Sequence, residues 1–278
     1  MNNRFILQLL YKSGFFKLCK NLLYKKGKFV LMFHGVSRNK SFHIPKDIQP
    51  HLDILQFENI VYWLSNQFMF LEPNDLMNSE KSGVLLTFDD GFNNNVSNVL
   101  PVLEKYNAPA LLFVATQHCI NPNNWLNFIN DKLKHYEIDK ASLKAKVKSD
   151  YYDGIPERKI KSLSKHNLIT FGSHTVTHPV LSKCSQEKLY FELSESKLYL
   201  EKATEKSIEY FAYPFGDYNR RILKLVKDLG YKACFGIDKT KRLKRLKYEI
   251  PRIGIYDDGE DYLSAKLSGL YSTPLKTI

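Results

Sequence analysis

Seven short apolar runs, separated by helical or polar stretches, constrain the fold of this chain more than any other sequence feature. The predicted strands cover residues 29–33, 84–88, 111–115, 168–171, 210–213, 232–236 and 250–255. Helical periodicity is strongest in residues 52–68, 96–106, 186–204 and 219–229, which lie between strands. Strands that are joined through helices form parallel sheets. We therefore expect an α/β fold, namely a distorted or incomplete (β/α)7-type barrel.

Two segments depart from this alternation. Residues 1–28 combine seven basic side chains with apolar residues, and we interpret them as a basic amphipathic N-terminal segment. A helix there would either pack on the rest of the protein or lie on an anionic membrane surface. We expect residues 29–278 to form one domain, with a polar, lysine-rich insertion at about 117–166.

The composition limits the classes of partner. Lys and Arg number 41 against 29 Asp and Glu, so the formal net charge is +12. This charge suits a membrane surface, a phosphorylated glycolipid or nucleic acid, and it also serves general solubility. Nucleic acid is not an expected partner, because no basic stripe with interleaved aromatics is present. The four cysteines form no closely spaced pair, and no apolar run approaches about 18 residues. We expect a cytoplasmic protein that can act at the inner face of the membrane.

Polar side chains follow several predicted strands at their carboxyl ends. His34 follows the first strand, and Asp89 and Asp90 follow the second. His174 comes three residues after the end of the fourth strand, and Pro214 comes directly after the fifth. Because the carboxyl ends of parallel strands meet at one edge of the sheet, we expect these residues to converge there.

The types of residue at this edge indicate a cation site. Asp89 and Asp90 form either a strand-end turn with an acidic helix cap or part of a metal site, since adjacent like charges require compensation. His174 and His178 are four residues apart, and on one helical turn both imidazoles would face the same cation. Two imidazoles and a carboxylate suit Zn²⁺ or a related divalent ion. His118 has no patterned partner, and we interpret it as a surface or packing residue.

The segments TFDDG, SHTVTHP and YPFG occur in this order and resemble the polysaccharide deacetylase family, also called the NodB homology domain or carbohydrate esterase family 4. The resemblance covers roughly residues 29–255 and marks this region as deacetylase-like. It implies that Asp89 is the general base and that Asp90, His174 and His178 bind one divalent metal ion. Zn²⁺ is the first expectation, with Co²⁺, Ni²⁺ or Fe²⁺ as alternatives.

The YPFG segment supplies a further part of the implied site. In the family, a backbone N–H from this segment stabilises the oxyanion, which here indicates Phe215 within Tyr213-Pro214-Phe215. Two features depart from the family pattern. The segment lacks the arginine that usually steadies the base. All eight histidines lie at or before His178, so the usual C-terminal histidine acid is absent.

Two residues are candidates for these missing functions. His34, in the sequence MFHGV, resembles the FHG or YH element of one branch of the family, where this histidine is the general acid. The alternative is a structural histidine in a turn. Arg252 either takes the place of the missing arginine beside Asp89 or is a surface charge.

The resemblance implies a hydrolase that acts on the carbon–nitrogen bond of a linear amide. We expect metal-dependent removal of an N-acetyl group from a sugar or glycolipid, in surface-polysaccharide or lipopolysaccharide biosynthesis. One alternative is a deformylase or other deacylase of a lipid-linked sugar. Another is a catalytically silent carbohydrate-binding module that retains the metal. The two departures favour the silent module, whereas the intact Asp89 favours the enzyme.

Overall fold

The computed structural model describes residues 3–23, 27–38, 51–120, 141, 152–237, 247–256 and 259–268. Most of the predicted insertion at about 117–166 lies outside these residues. The predicted division of the chain at residues 28 and 29 stays a prediction.

Short strands and helices alternate through the described residues. The strands are β1 (Lys28–Phe33), β2 (Val36–Ser37), β3 (Leu52–Asp53), β4 (Gly83–Phe88), β5 (Ala110–Val114), β6 (Ile169–Ser173), β7 (Tyr210–Ala212), β8 (Ala233–Phe235) and β9 (Ile253–Gly254). The helices are α1 (Asn3–Lys12), α2 (Phe15–Leu23), α3 (Ile54–Ser65), α4 (Asp75–Asn78), α5 (Leu100–Lys105), α6 (Thr116–Ile120), α7 (Glu157–Leu163), α8 (Gln186–Thr204), α9 (Arg220–Asp228) and α10 (Glu260–Lys266).

Seven of these strands form one parallel sheet in the order β8-β7-β6-β5-β4-β1-β9. Each corresponds to one of the seven predicted strands, with ends that differ by up to three residues. The short strands β2 and β3 form a separate parallel pair. The curled parallel sheet with its surrounding helices confirms the predicted distorted (β/α)7 barrel.

The two edges of the sheet approach each other through the segment before and including β9. Ile250 bridges to Phe235 at the end of β8. Three residues further on, β9 pairs with β1. Arg252 lies between these two pairings and is therefore enclosed at the point where the sheet curls back on itself.

The sheet is buried on both faces, as a barrel with outer helices requires. One set of alternate residues packs in an inner core: Val30, Leu85, Leu111, Phe113, Ala212, Phe235 and Ile250. The intervening residues pack in the outer core under the helices: Leu31, Leu86, Phe88, Leu112, Val114 and Phe211. Because side chains alternate along a strand, Thr87 and Asp89 continue the inward-facing set of β4.

The N-terminal segment differs from the single amphipathic helix expected for it. It forms two helices, α1 and α2, since Gly14 adopts a left-handed φ of 74° between them. The hairpin packs against α10, where Tyr11 Oη donates to Glu260 Oε2 at 2.5 Å, and Phe16 is buried.

Lys28 belongs to β1. Its buried Nζ donates to backbone carbonyls near the end of α4, including that of Ser79 at 2.6 Å.

The described helices include none that is both long enough and apolar enough to cross a membrane.

Candidate active site

Asp90, His174 and His178 come together at the carboxyl ends of β4 and β6. His178 Nε2 lies 3.4 Å from Asp90 Oδ1, and His174 Nε2 lies 3.7 Å from the same oxygen. One ligand atom from each residue lies within 4.8 Å of the other two, and all three residues are buried. Ligands at about 2.0–2.1 Å from a tetrahedral Zn²⁺ lie about 3.3 Å apart. The donor set therefore fits a small divalent cation.

A backbone contact fixes the tautomer of His174. Its Nδ1 lies 2.8 Å from the carbonyl oxygen of Ala212 at the end of β7. A carbonyl only accepts, so Nδ1 carries the proton and Nε2 presents its lone pair toward Asp90. Burial lowers the pKa of His174 and lowers that of His178 further, which favours neutral imidazoles. Neutral imidazoles are the form that binds metals.

The two histidines do not lie on a helical turn, contrary to the expectation from their spacing. Residues 174–180 form a bent loop after β6. Thr175 and His178 adopt left-handed φ values of 71° and 57°, which a helix does not allow. His178 N donates to Thr175 Oγ1 at 2.9 Å. The rings still approach each other, with centroids 4.7 Å apart, because the loop itself turns the second imidazole back toward the first.

Asp89 is held by Arg252 inside the barrel. Arg252 Nη1 and Nη2 donate to the two carboxylate oxygens of Asp89 at 2.5 and 2.7 Å, and Arg252 is completely buried. Its Nε donates to the carbonyl of Gly236 at 3.1 Å, and its guanidinium lies 5.2 Å from the centroid of Phe113. Of the two alternatives for Arg252, the contact with Asp89 is the observed one, and a surface charge is excluded by this burial.

This ion pair determines the charge of Asp89. Burial alone would raise the pKa of its carboxyl. The charge of Arg252 and its hydrogen bonds outweigh that effect and hold the pKa below its usual value. Asp89 is therefore ionised at neutral pH, although it is buried. A buried carboxylate that is ionised and adjacent to a metal-binding set can accept a proton.

The segment after β7 contributes unequally to the site. Tyr213 is completely buried, and its Oη donates to the carbonyl of Tyr248 at 2.9 Å, away from the metal-binding set. Pro214 is also buried, so Tyr213 and Pro214 anchor the segment in the protein interior. Phe215 is half-buried with a left-handed φ of 58°, and its ring lies 4.8 Å from that of His178. Only Phe215 of the three reaches the imidazoles.

His34 lies at the same end of the barrel. It is half-buried at the end of β1, and its ring stacks on that of Tyr256 with centroids 6.4 Å apart. Burial is the largest influence on two neighbouring groups: it raises the pKa of Asp89 and lowers the pKa of His178. The charge of His34 lowers the pKa of each of these two groups. The imidazole therefore lies within electrostatic range of both residues.

The residues of this site lie in a region that is similar in sequence to a known protein family. The sequence model described as polysaccharide deacetylase matches residues 77–234, which include Asp89, Asp90, His174 and His178. This chain belongs to the polysaccharide deacetylase family. The family consists of hydrolases that act on amide bonds of carbohydrates, as the sequence predicts.

Individual relatives agree with this membership. A poly-β-1,6-N-acetyl-D-glucosamine N-deacetylase of Staphylococcus aureus (strain MRSA252) is 30% identical over 224 residues, covering 78% of this chain and 71% of the relative. Two solved structures support the fold. The Streptococcus pyogenes deacetylase PplD, in complex with acetate, is 22% identical with a TM-score of 0.62, covering 82% of this chain and 92% of its own. A de-N-acetylase from Aggregatibacter actinomycetemcomitans is 17% identical with a TM-score of 0.65, covering 85% and 98%.

One residue at this deacetylase site was not predicted to belong to it. His118 is completely buried rather than a surface residue, and its Nδ1 lies 3.0 Å from the carbonyl oxygen of Asp90. Burial lowers the pKa of His118 to about 4, so the ring is neutral and Nδ1–H donates to this carbonyl. The bond supports Asp90 in its left-handed conformation (φ 70°). A lone histidine in the sequence carries no signal for such a contact.

Strained backbone concentrates at this site. Of the six non-glycine residues with positive φ in the described chain, four belong to the candidate metal site or adjoin it: Asp90, Thr175, His178 and Phe215. Each such residue costs on the order of 1–3 kcal/mol, so the conformation persists only because surrounding contacts hold it.

Replacing Arg252 by Met should destabilise the protein strongly. The buried carboxylate of Asp89 would lose its counter-ion, which costs about 3–5 kcal/mol of unfolding free energy. Urea denaturation measures the change, with exposed Arg220→Met as the control. Combining Arg252→Met with Asp89→Asn should recover part of the loss, because the double variant buries no uncompensated charge. Strictly additive effects would contradict the ion pair.

Proposed function

We propose that this protein removes the acetyl group from an N-acetylated sugar, with one divalent metal ion bound by Asp90, His174 and His178. The observation that carries the proposal is the convergence of these three ligands beside the Asp89–Arg252 pair, in a member of the polysaccharide deacetylase family. The two nitrogen donors and one oxygen donor fit Zn²⁺ first. Co²⁺, Ni²⁺ or Fe²⁺ would be accommodated by the same set.

The reaction would begin at Asp89. A divalent cation in this site supplies Lewis acidity, which polarises the amide carbonyl and favours deprotonation of water. Asp89 accepts the proton of the water that attacks the carbonyl carbon. Arg252 keeps the carboxylate ionised and fixes both of its oxygens before the attack. Arg252 thereby takes the place of the arginine that the YPFG segment lacks.

Two further residues would complete the reaction. The backbone N–H of Phe215 stabilises the oxyanion that forms on the former carbonyl oxygen. His34, as imidazolium, donates its proton to the sugar nitrogen when the carbon–nitrogen bond breaks, which releases acetate and the free amine. In this assignment, the acid and the base approach the substrate from the ends of β1 and β4, neighbouring strands of the sheet.

The proposed substrate is an N-acetylated saccharide of a surface polysaccharide or lipopolysaccharide pathway. The S. aureus relative is named for an N-acetylglucosamine polymer, which supports an N-acetylhexosamine substrate. The N-terminal hairpin supports a lipid-linked form of it. We place the protein in the cytoplasm, bound peripherally at the inner face of the membrane.

The hairpin has a suitable outer surface for this contact. One side of α1 and α2 packs on α10, while the other leaves large apolar side chains exposed: Phe5, Ile6, Leu9, Phe15 and Leu18. The first 28 residues of the sequence carry seven basic and no acidic side chains. Apolar residues with surrounding positive charge suit the interface of an anionic bilayer.

The catalytic proposal predicts that Asp89→Asn abolishes acetate release while metal binding persists. The amide cannot accept the proton, so turnover should fall by about 10²–10⁴-fold. The assay measures acetate released from N-acetylglucosamine oligomers by protein loaded with Zn²⁺ or Co²⁺. A chelator should abolish the activity of the wild type, and added metal should restore it.

The exposed Asp228→Asn variant is the matched control and should retain full activity. If purified protein exposed to these ions binds no metal, the proposed function is wrong. If Asp89→Asn binds metal and behaves like the wild type in all assays, the protein is a silent binding module instead.

Replacing His34 by Gln should lower turnover by about 10²–10⁴-fold without weakening metal binding, because it removes only the proton donor. The loss should be much smaller for an acetanilide with an electron-withdrawing ring, whose amine is a good leaving group without protonation. His166→Gln, just before the amino end of β6 and so at the opposite end of this strand from the site, serves as the control. Equal losses on both substrates would refute His34 as the acid.

Lipid vesicles test the proposed membrane contact. The protein should co-sediment with vesicles that contain phosphatidylglycerol and not with pure phosphatidylcholine, and high salt should release it. The variant Phe5→Ser/Leu9→Ser/Leu18→Ser should bind these vesicles roughly tenfold more weakly or worse, since it removes buried apolar area. Unchanged binding of this variant would exclude the hairpin as the contact.

A further inference from the structure

A buried carboxylate on α8 contacts the loop that joins the two imidazole ligands. Glu192 is completely buried. Its Oε2 accepts hydrogen bonds from the backbone N–H groups of Val176 and Thr177 at 2.9 and 2.8 Å. Its Oε1 accepts from Thr177 Oγ1 at 2.5 Å. One side chain thus binds three donors in the three-residue interval between His174 and His178.

A carboxylate in this position requires a physical reason. Burial of an ionised carboxylate costs several kcal/mol unless hydrogen bonds or opposite charge compensate it. Glu192 meets this requirement with donors of the ligand loop itself. The N–H groups of Val176 and Thr177 are part-buried, and Glu192 pairs them where the loop has no helical hydrogen-bond ladder to do so.

The other side of the loop is fixed by the start of α6, the helix that follows β5. The carbonyl oxygens of Thr175 and Val176 accept from the N–H groups of Thr116 and Gln117, the first two residues of α6, both at 3.0 Å. The loop backbone is therefore held between the start of α6 and Glu192. This clamp keeps Thr175 in its left-handed conformation, which turns His178 toward His174.

The same helix also fixes the start of the loop. Ser196, one turn after Glu192, places its hydroxyl 2.7 Å from that of Ser173, the last residue of β6. Ser173 Oγ in turn accepts from the N–H of Thr175 at 3.3 Å. Two positions on one face of α8 therefore determine where the ligand loop starts and how it bends.

We propose that Glu192 is a positioning residue of the metal centre. It holds the His174–His178 loop in the conformation that directs both imidazoles at one cation. The proposal rests on the metal-dependent function proposed above, and it assigns Glu192 no contact with substrate. Groups of this kind around a metal site typically change metal affinity by about 10–100-fold when they are replaced.

The experiment compares Co²⁺ binding by the full-length wild type and three variants. Glu192→Met keeps the volume and removes all acceptors. Glu192→Gln keeps an oxygen for the two backbone N–H groups and an amide that can donate to Thr177. Glu195→Ala, at an exposed position on the same helix, is the control. For each protein we would measure the Kd for Co²⁺, the visible absorption spectrum of bound Co²⁺, and the Tm with and without metal.

Glu192→Met should bind Co²⁺ about 10–100-fold more weakly, with an altered spectrum and a smaller metal-induced rise in Tm. Glu192→Gln should recover most of the affinity and the wild-type spectrum, and Glu195→Ala should match the wild type. If Glu192→Met fails to fold, Glu192→Asp replaces it. Its carboxylate, one methylene shorter, cannot reach all three donors, so its affinity should also fall.

An unchanged Kd and spectrum in the folded Met or Asp variant would overturn the proposal, even if the Tm fell, because the role would then be structural only. Failure of the wild type to bind Co²⁺ would instead refute the proposed function. The two failures are thereby distinguishable.

Discussion

Two carboxylates that are adjacent in sequence are buried at this site, and the fold has to compensate each of them differently. Asp89 continues the inward-facing residues of β4 and meets Arg252 inside the barrel. Asp90 follows with a left-handed φ, which turns it out of the strand toward His174 and His178. The backbone turn at Asp90 thus separates two carboxylates. Asp89 is paired with a positive side chain of the protein, whereas Asp90 lies where a cation could bind. The different roles proposed for Asp89 and Asp90 follow from this difference in partner.

Much of this arrangement could be predicted from the sequence. Strand periodicity locates the seven strands, and the carboxyl ends of parallel strands must share one edge, so Asp89, Asp90, His174 and His34 are expected together. The bend that brings His178 to His174 was not predictable, because spacing alone suggests a helical turn. His118 and Glu192 act on backbone atoms, which leaves no pattern of side-chain types in the sequence.

The loops that carry Asp90, His174 and His178 depend on their surroundings more than on their own sequences. Asp90, Thr175 and His178 adopt conformations that are unfavourable for residues with side chains, and neighbouring elements hold them there. Helix α8 and the start of α6 contact opposite sides of the histidine loop, while His118 supports the carbonyl of Asp90. The positions of the two imidazoles and the Asp90 carboxylate are therefore set by the fold, which would limit the reorganisation needed to bind the proposed cation.

Arg252 also connects the site to the order in which the chain folds. It lies 163 residues after Asp89, on the segment where the curled sheet approaches closure. A nascent chain that has emerged only as far as β7 already contains Asp90, His174 and His178, but it cannot bury Asp89 beside Arg252. Until the last strand arrives, the interior at β4 must stay solvated or the Asp89 carboxyl must be protonated, because a buried carboxylate without a counter-ion is costly. Burial of Asp89 in its ionised form therefore requires the chain as far as Arg252.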